Sequence, residues 1–419
     1  MNARNIVDTG DTTADILSPD TYTQGVPHAA FEKLRDDDPV HWHEDKDGGL
    51  WSITRYDDVL SANSNPEIFS SAKGIRIENM DADELEARKT MMEMDRPEHT
   101  TYRRLVQPPF LPRNVNGYDD MLRELALSVI NDARQHTEFD FVTEIARQLP
   151  MRMLGKLLGV PDEDGPWLVE MGDALIGNTD PEFTDVPVGL VDTDEYRLMP
   201  FRSPHSFKLF EYAAAQATDR RANPKSDLIT RLLEPTRKGD VLNDNDFNNF
   251  FTLLVAAGND TTRYTMAAGM HALISYPDQM QKLIDNPELI DSATEEILRW
   301  GTVTMHFRRT AKEDYEMHGK TIKAGDRVVL WFISADYDSR QYDNPYTFDI
   351  TRDPNPHMAF GLKSPHKCIG EHLARLEIKV LFRELLPLMK SVELNGDVDR
   401  LRSNFISGIK HLPIKVEWA

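Results

Sequence analysis

Residues 357–376 read HMAFGLKSPHKCIGEHLARL, and Cys368 within them is the only cysteine in 419 residues. A Phe-Gly turn precedes it, and IGEHLARLEIKVLFRELL follows with helical apolar spacing, so the sulfur stands where a loop feeds a helix. Three roles fit a cysteine so placed. One is a buried structural thiol, since free cysteines behave as small core hydrophobes. Another is a zinc ligand with His366 and His372, against which stands the lack of a second cysteine. The third is a thiolate ligand to haem iron: the free N–H groups and dipole of a helix start favour an anion on sulfur, and Gly361 and Gly370 let backbone approach a flat cofactor. The loop alone leaves all three open.

Composition narrows the partners. With 70 acidic against 48 basic side chains the net charge is −22, which argues against nucleic acid and anionic membrane. No apolar run approaches the roughly 20 residues that span a bilayer, and the opening MNARNIVDTGDTTADILSPD is polar and acidic rather than leader-like. A soluble, cytoplasmic, monomeric protein is expected. Nothing reads as a linker, so residues 1–419 are taken as one domain, with 1–25 a loosely ordered tail.

After that tail, AAFEKLRDDDPVHWHE reads as a helix entering a strand, and GGLWSITRYDDVLSAN as a strand, a turn and a helix. From MLRELALSVINDARQ (121–135) to KVLFRELLPLMKSV (379–392), apolar residues recur every three or four positions, and the body is mostly helical. EMHGKTIKAGDRVVLWF (316–332) reads as a hairpin and HLPIKVEWA as a closing strand. Residues 177–208, rich in Pro, Gly and Asp and without periodicity, read as a long mobile connection that could cover a binding site.

Two further segments decide between the roles of Cys368. FFTLLVAAGNDTTRYTMAAGMHALISYP and EEILRW stand with the cysteine loop in an order and at separations that resemble the cytochrome P450 haem-thiolate monooxygenases. The resemblance implies a mainly α fold with small β-sheets, triangular in outline, with haem b buried between a long central helix and the helix after Cys368. Cys368 would then be the axial ligand to the haem iron, and Gly370 would let its helix pack close to the haem. Residues 248–275, apolar nearly all round, suit a helix through the core. Thr261 can bond back to the Ala257 carbonyl and bend it, and with Gly258 the distortion would open a small pocket. By resemblance Ala257 and Gly258 border the haem, Thr261 holds the activated dioxygen and its water, and Asp260 relays protons.

The same resemblance assigns further residues. Glu296 and Arg299, joined by Arg352, form a structural group that holds the cysteine loop. His99 and Arg103 in DRPEHTTYRRLV, Arg309 in HFRRTAKEDYEMHG, and His366 face the haem propionates. Ile75, Ile77, Val255, Ala256, Val303, Met305, Phe405 and Ile406 line an apolar substrate cavity. The closer similarity, over residues 25 to 417, is to soluble bacterial members that oxidise monoterpenols, sterol side chains or alkyl chains.

That implies hydroxylation of a hydrophobic small molecule with O2, using electrons from NAD(P)H through an iron–sulfur ferredoxin and its reductase, since no reductase segment is seen. Arg104, Arg113, Lys363, Lys367, Arg375 and Lys379 would form a local basic patch for an acidic ferredoxin. Two alternatives are a peroxide-driven peroxygenase, whose known fatty-acid-binding members replace the acid–alcohol pair with one containing arginine, and a haem-binding sensor without catalysis. The loop departs from the family: Phe360 lies eight rather than seven residues before Cys368, and Ser364 stands where a glycine is usual, followed by Pro365.

Overall fold

The all-round apolar stretch becomes one helix of 32 residues, Asp244–Ser275. Asn243 caps its start by accepting from the Asp246 N–H at 2.9 Å. At 1.5 Å per residue the helix is about 48 Å long. Phe247, Phe251, Val255, Met266, Ala267 and Met270 are all buried, so it crosses the interior rather than lying on a surface. The structure is a computed structural model and describes residues 10–45, 47–236, 239 and 241–419. Around the central helix pack Gln148–Leu158, Gly165–Ile176, His205–Ala222, Ile290–Gly301 and the cysteine helix Glu371–Leu385.

Among the described residues the strands are β1 (Val40–His43), β2 (Leu50–Ile53), β3 (Phe69–Ser70), β4 (Glu138–Asp140), β5 (His306–Ala311) and β6 (Tyr315–Met317). They continue as β7 (Lys320–Ile322), β8 (Arg327–Trp331), β9 (Met389–Leu394), β10 (Asp399–Arg400), β11 (Ile409–His411) and β12 (Pro413–Trp418). The largest sheet has the order β1-β2-β8-β5-β3, with β2 and β8 parallel and the other pairs antiparallel. The closing strand β12 lies between β4 and β9. The architecture is mainly helical with small sheets.

Four expectations are corrected. The hairpin is confined to β6 and β7, because β8 leaves it to pair with β5 and β2, where its five residues are buried. The helical reading of 379–392 stops at Leu385: Pro387 breaks it, and Met389 already begins β9. Of the expected loose tail, residues 1–9 lie outside the described residues. From there on, Ile16 and Tyr22 are buried in the main core, which runs on to Val416, and Arg402 pairs with Asp20. The segment 177–208 carries little regular structure, but it is tied down: Asp180 Oδ2 accepts from the Arg402 N–H at 2.9 Å, and Asn178 donates to the Phe201 carbonyl at 2.6 Å.

Candidate active site

Cys368 sits on a tight loop whose own N–H donates to the Phe360 carbonyl at 2.9 Å. Gly361 turns the chain at φ 70, and the next left-handed residue is Lys363 at φ 61, so the reversal that a glycine would ease falls one place before Ser364. Ser364 instead accepts from the His366 N–H through its hydroxyl, at 3.1 Å. The Gly370 N–H is hydrogen-bonded to the sulfur; a Cβ on Gly370 would touch nothing but that sulfur, at 3.9 Å. Burial nevertheless pushes the thiol up from its ordinary value, and the Glu371 carboxylate adds to this, outweighing Gly370, Arg103 and Arg375. The Gly370 N–H at the helix start favours the anion, as the sequence reading expects, and burial opposes it. Cys368 is ringed by protein yet has exposed surface.

The loop is held from behind by charges with no exposure. Arg299 donates to both oxygens of Glu296, at 2.8 and 2.7 Å, and both side chains are completely buried. Arg352 and Asn355 donate to Glu296 Oε2 at 3.1 and 3.0 Å, and the Asp349 N–H to Oε1 at 3.0 Å. The sequence did not point to Asp336, which accepts from the Met358 N–H at 2.7 Å and the Thr302 hydroxyl at 2.8 Å, nor to Glu295, bound by His357 and Arg375. Removing one partner of a buried pair leaves the other charge unpaired. Glu296→Ala is expected to lower stability by about 3 kcal/mol, read as a shifted urea midpoint, and to release haem.

His99, Arg103, Arg309 and His366 come together beside the loop. The rings of His99 and His366 are 4.1 Å apart, Arg103 donates to the Lys367 carbonyl at 2.6 Å, and Arg309 donates to the Arg308 carbonyl and Asn63 Oδ1. None of the four forms an ion pair among the described residues. Burial lowers His99 to about 4, Arg309 to about 10 and His366 to about 2, with neighbouring cations adding to the fall in both histidines. His366 Nδ1 is buried without a hydrogen-bond partner. The histidines are thereby neutral, and Arg309, a buried cation without an anion, is costly. A cofactor with two carboxylates, held beside an accessible thiol, fits this donor set.

On the central helix Thr261 Oγ1 donates to the Ala257 carbonyl at 3.0 Å, as its position predicts. The helix runs unbroken through this turn. A Cβ on Gly258 would lie 2.9 Å from Leu154 Cδ2, so its smallness also serves packing against Gln148–Leu158. Asp260 is fully buried; its Oδ1 accepts from Asn259 Nδ2 at 2.9 Å and pairs with Arg263 at 3.0 Å, while Oδ2 has no partner. Burial pushes its carboxyl up to about 7; Arg263 and Arg147 oppose the rise, and Asp173 adds to it. Asp173, on Gly165–Ile176, pairs with both Arg263 and Arg147. Arg263 stands three residues after Asp260 and was legible as a helical neighbour; Asp173 had no sequence signal.

Ala257 and Thr261 border a cavity of about 750 Å³ that also takes in Ile75, Ile77, Ala256, Phe405 and Ile406. Val255, Val303 and Met305 are not in its lining; they are buried in the main core. The error is one of register: neighbouring residues point to different sides of a helix or an extended strand, and Leu253, Thr304 and Phe307 take those places. Nor is the lining purely apolar, since Arg76, Arg88, Glu93 and Arg202 contribute.

The expected basic patch is reduced by internal pairing. Lys367 pairs with Glu371, Arg375 with Glu295 and Glu371, and Lys379 with Asp291, whereas Arg104, Arg113 and Lys363 are exposed and make no ion pair with a described residue.

A thiol on a buttressed loop, a cluster of arginines and histidines beside it and an acid–alcohol pair on a core helix fit a haem-thiolate oxygenase. The cytochrome P450 family model matches residues 24–287 and 284–404, and the chain belongs to that family. It is 34% identical over 410 residues to the steroid C26-monooxygenase of Mycobacterium tuberculosis strain H37Rv, covering 95% of this chain and 91% of that one. It is also 34% identical over 410 residues to the linalool 8-monooxygenase of Pseudomonas putida, covering 96% and 98%. A Mycobacterium marinum cytochrome P450 solved with pseudoionone superposes at a TM-score of 0.85, with 34% identity over 93% of this chain and 94% of that one. The chain is thus a cytochrome P450 monooxygenase, and haem b is its cofactor. Among the described residues no helix is long and apolar enough to cross a membrane.

Proposed function

We propose that this monooxygenase hydroxylates a largely apolar molecule of terpenoid, steroid or alkyl-chain type, bound in the cavity whose wall includes Ala257 and Thr261. The observation that carries this reading is the placement of Thr261 on the wall of a cavity large enough for such a molecule and lined by Ile75, Ile77, Leu253 and Ile406. Relatives that act on a steroid and on linalool support the class. When bound, haem b with a thiolate ligand supplies the oxidising power to insert one atom of O2 into a C–H bond. Cys368 would ligate the iron, with Gly370 donating to its sulfur, and His99, Arg103, Arg309 and His366 would bind the propionates.

Asp260 is suited to move a proton at Oδ2: its raised value lets it both take and give one near neutral pH, while Asn259 and Arg263 hold Oδ1. The Thr261 hydroxyl, at the cavity wall, would orient a water or take the proton onward. The retained acid–alcohol pair favours reductive use of O2 over peroxide, with electrons from NAD(P)H through a ferredoxin. Arg104, Arg113 and Lys363 are the cations left free to steer an acidic partner. Titrating the ferric protein with terpenoids, steroids and long-chain compounds is expected to blue-shift the Soret band for at least one class. Absence of any shift across all three would overturn the cavity assignment.

A further inference from the structure

Arg76 is the one cavity-lining arginine among the described residues that has no ion-pair partner. Arg88 and Arg202 pair with Glu84, and Arg327 pairs with Asp45. The Arg76 guanidinium lies between two aromatic faces, 4.6 Å from the Phe201 ring centre and 4.7 Å from that of Phe405. Such a sandwich fixes the plane of the fork and strips water from its faces, leaving the N–H edges to make hydrogen bonds. Phe201 and Arg202 hold left-handed backbone at φ 60 and φ 49, a conformation costly for non-glycine residues, so the rim that places one face of the sandwich is strained.

Burial lowers Arg76 from its ordinary value, and the attraction of Glu78 and Glu93 does not restore it. Glu93 is also committed elsewhere, accepting from the Thr90 N–H and hydroxyl at 3.1 and 2.7 Å. A desolvated, plane-locked arginine with open edges on the wall of a largely apolar cavity is a receptor for a flat anion.

We infer that Arg76 is a specificity-determining residue that binds the carboxylate of an amphiphilic substrate, a long-chain or terpenoid carboxylic acid whose apolar end reaches Thr261. The inference rests on the proposed use of the cavity and names the class of molecule it takes. A carboxylate suits the site better than a phosphate, because two parallel N–H bonds match its planar pair of oxygens and because a dianion would meet Glu78 and Glu93 more unfavourably.

The test pairs palmitic acid with methyl palmitate, and geranic acid with methyl geranate, in Soret titrations of the haem-loaded protein and of Arg76→Gln and Arg76→Lys. Charge-assisted hydrogen bonds predict that each acid binds about 10- to 100-fold tighter than its ester in the parent protein. That ratio should collapse towards one in Arg76→Gln and recover in part in Arg76→Lys. Esters that bind as tightly as acids, or a ratio unchanged in Arg76→Gln, overturn the inference while leaving the cavity assignment standing. If neither acids, esters nor the other classes shift the Soret band, both fall.

Discussion

Cys368→Ala is expected to abolish monooxygenation and the thiolate-type carbon monoxide spectrum while leaving a folded chain. The loop does not depend on the sulfur for its shape: the Cys368 N–H bond to Phe360 is a backbone bond, and the anchors at Glu296, Arg299 and Asp336 lie elsewhere. What the substitution removes is the chain's only thiol. A thiolate donates electron density that a histidine or water does not, so no other side chain can restore the spectrum. His366 and His372 are the nearby nitrogen donors, and their coordination would give a histidine-type spectrum instead. Far-ultraviolet circular dichroism checks the fold, and the reduced carbon monoxide complex checks the ligand. A thiolate-type band in the variant would remove Cys368 from the iron.

The sequence made the cysteine loop readable because its requirements are local: a turn glycine, a sulfur and a helix start occupy fixed places over a few residues. The same holds for Glu296 with Arg299, one helical turn apart, and for Thr261 with the carbonyl of Ala257. The spacing of these groups also carried the fold, since the order of core helix, buried ion pair and cysteine loop belongs to one family. What stayed hidden depends on contacts between distant segments. Asp173 and Asp336 act on Asp260 and Met358 from other elements, with no periodicity to announce them. The cavity was legible only as segments: a one-residue register difference exchanged Val303 and Met305 for Thr304, and the position of Arg76 beside Phe201 and Phe405 joins three segments distant in sequence. Pairing with Glu295 and Asp291 on another helix, and with Glu371 nearby in sequence, also cancelled half of the expected basic patch.

Asp260→Asn is expected to lower turnover by about 100-fold, the usual scale for losing a positioned proton-transfer group. Asparagine keeps the shape and can still meet Asn259 and Arg263, but it cannot exchange a proton at the reacting pH. The groups facing the carboxyl are Arg263 and Tyr264 on its own helix, Asp173 on Gly165–Ile176, and Arg147 before Gln148–Leu158. Because burial raises the folded value to about 7 from the 3.8 of a free aspartate, the native state binds this proton more tightly than the unfolded chain. Its contribution to stability is therefore present below pH 3.8 and is lost as pH rises to about 7. Asp260→Asn should remove that slope from urea midpoints measured between those limits, and should flatten the fall of turnover above neutrality. A residue that only braced the helix would change stability without altering the pH profile of turnover. Parent-like turnover with an unchanged pH profile in Asp260→Asn would take Asp260 out of proton delivery and leave Thr261, through ordered water, as the group that carries it.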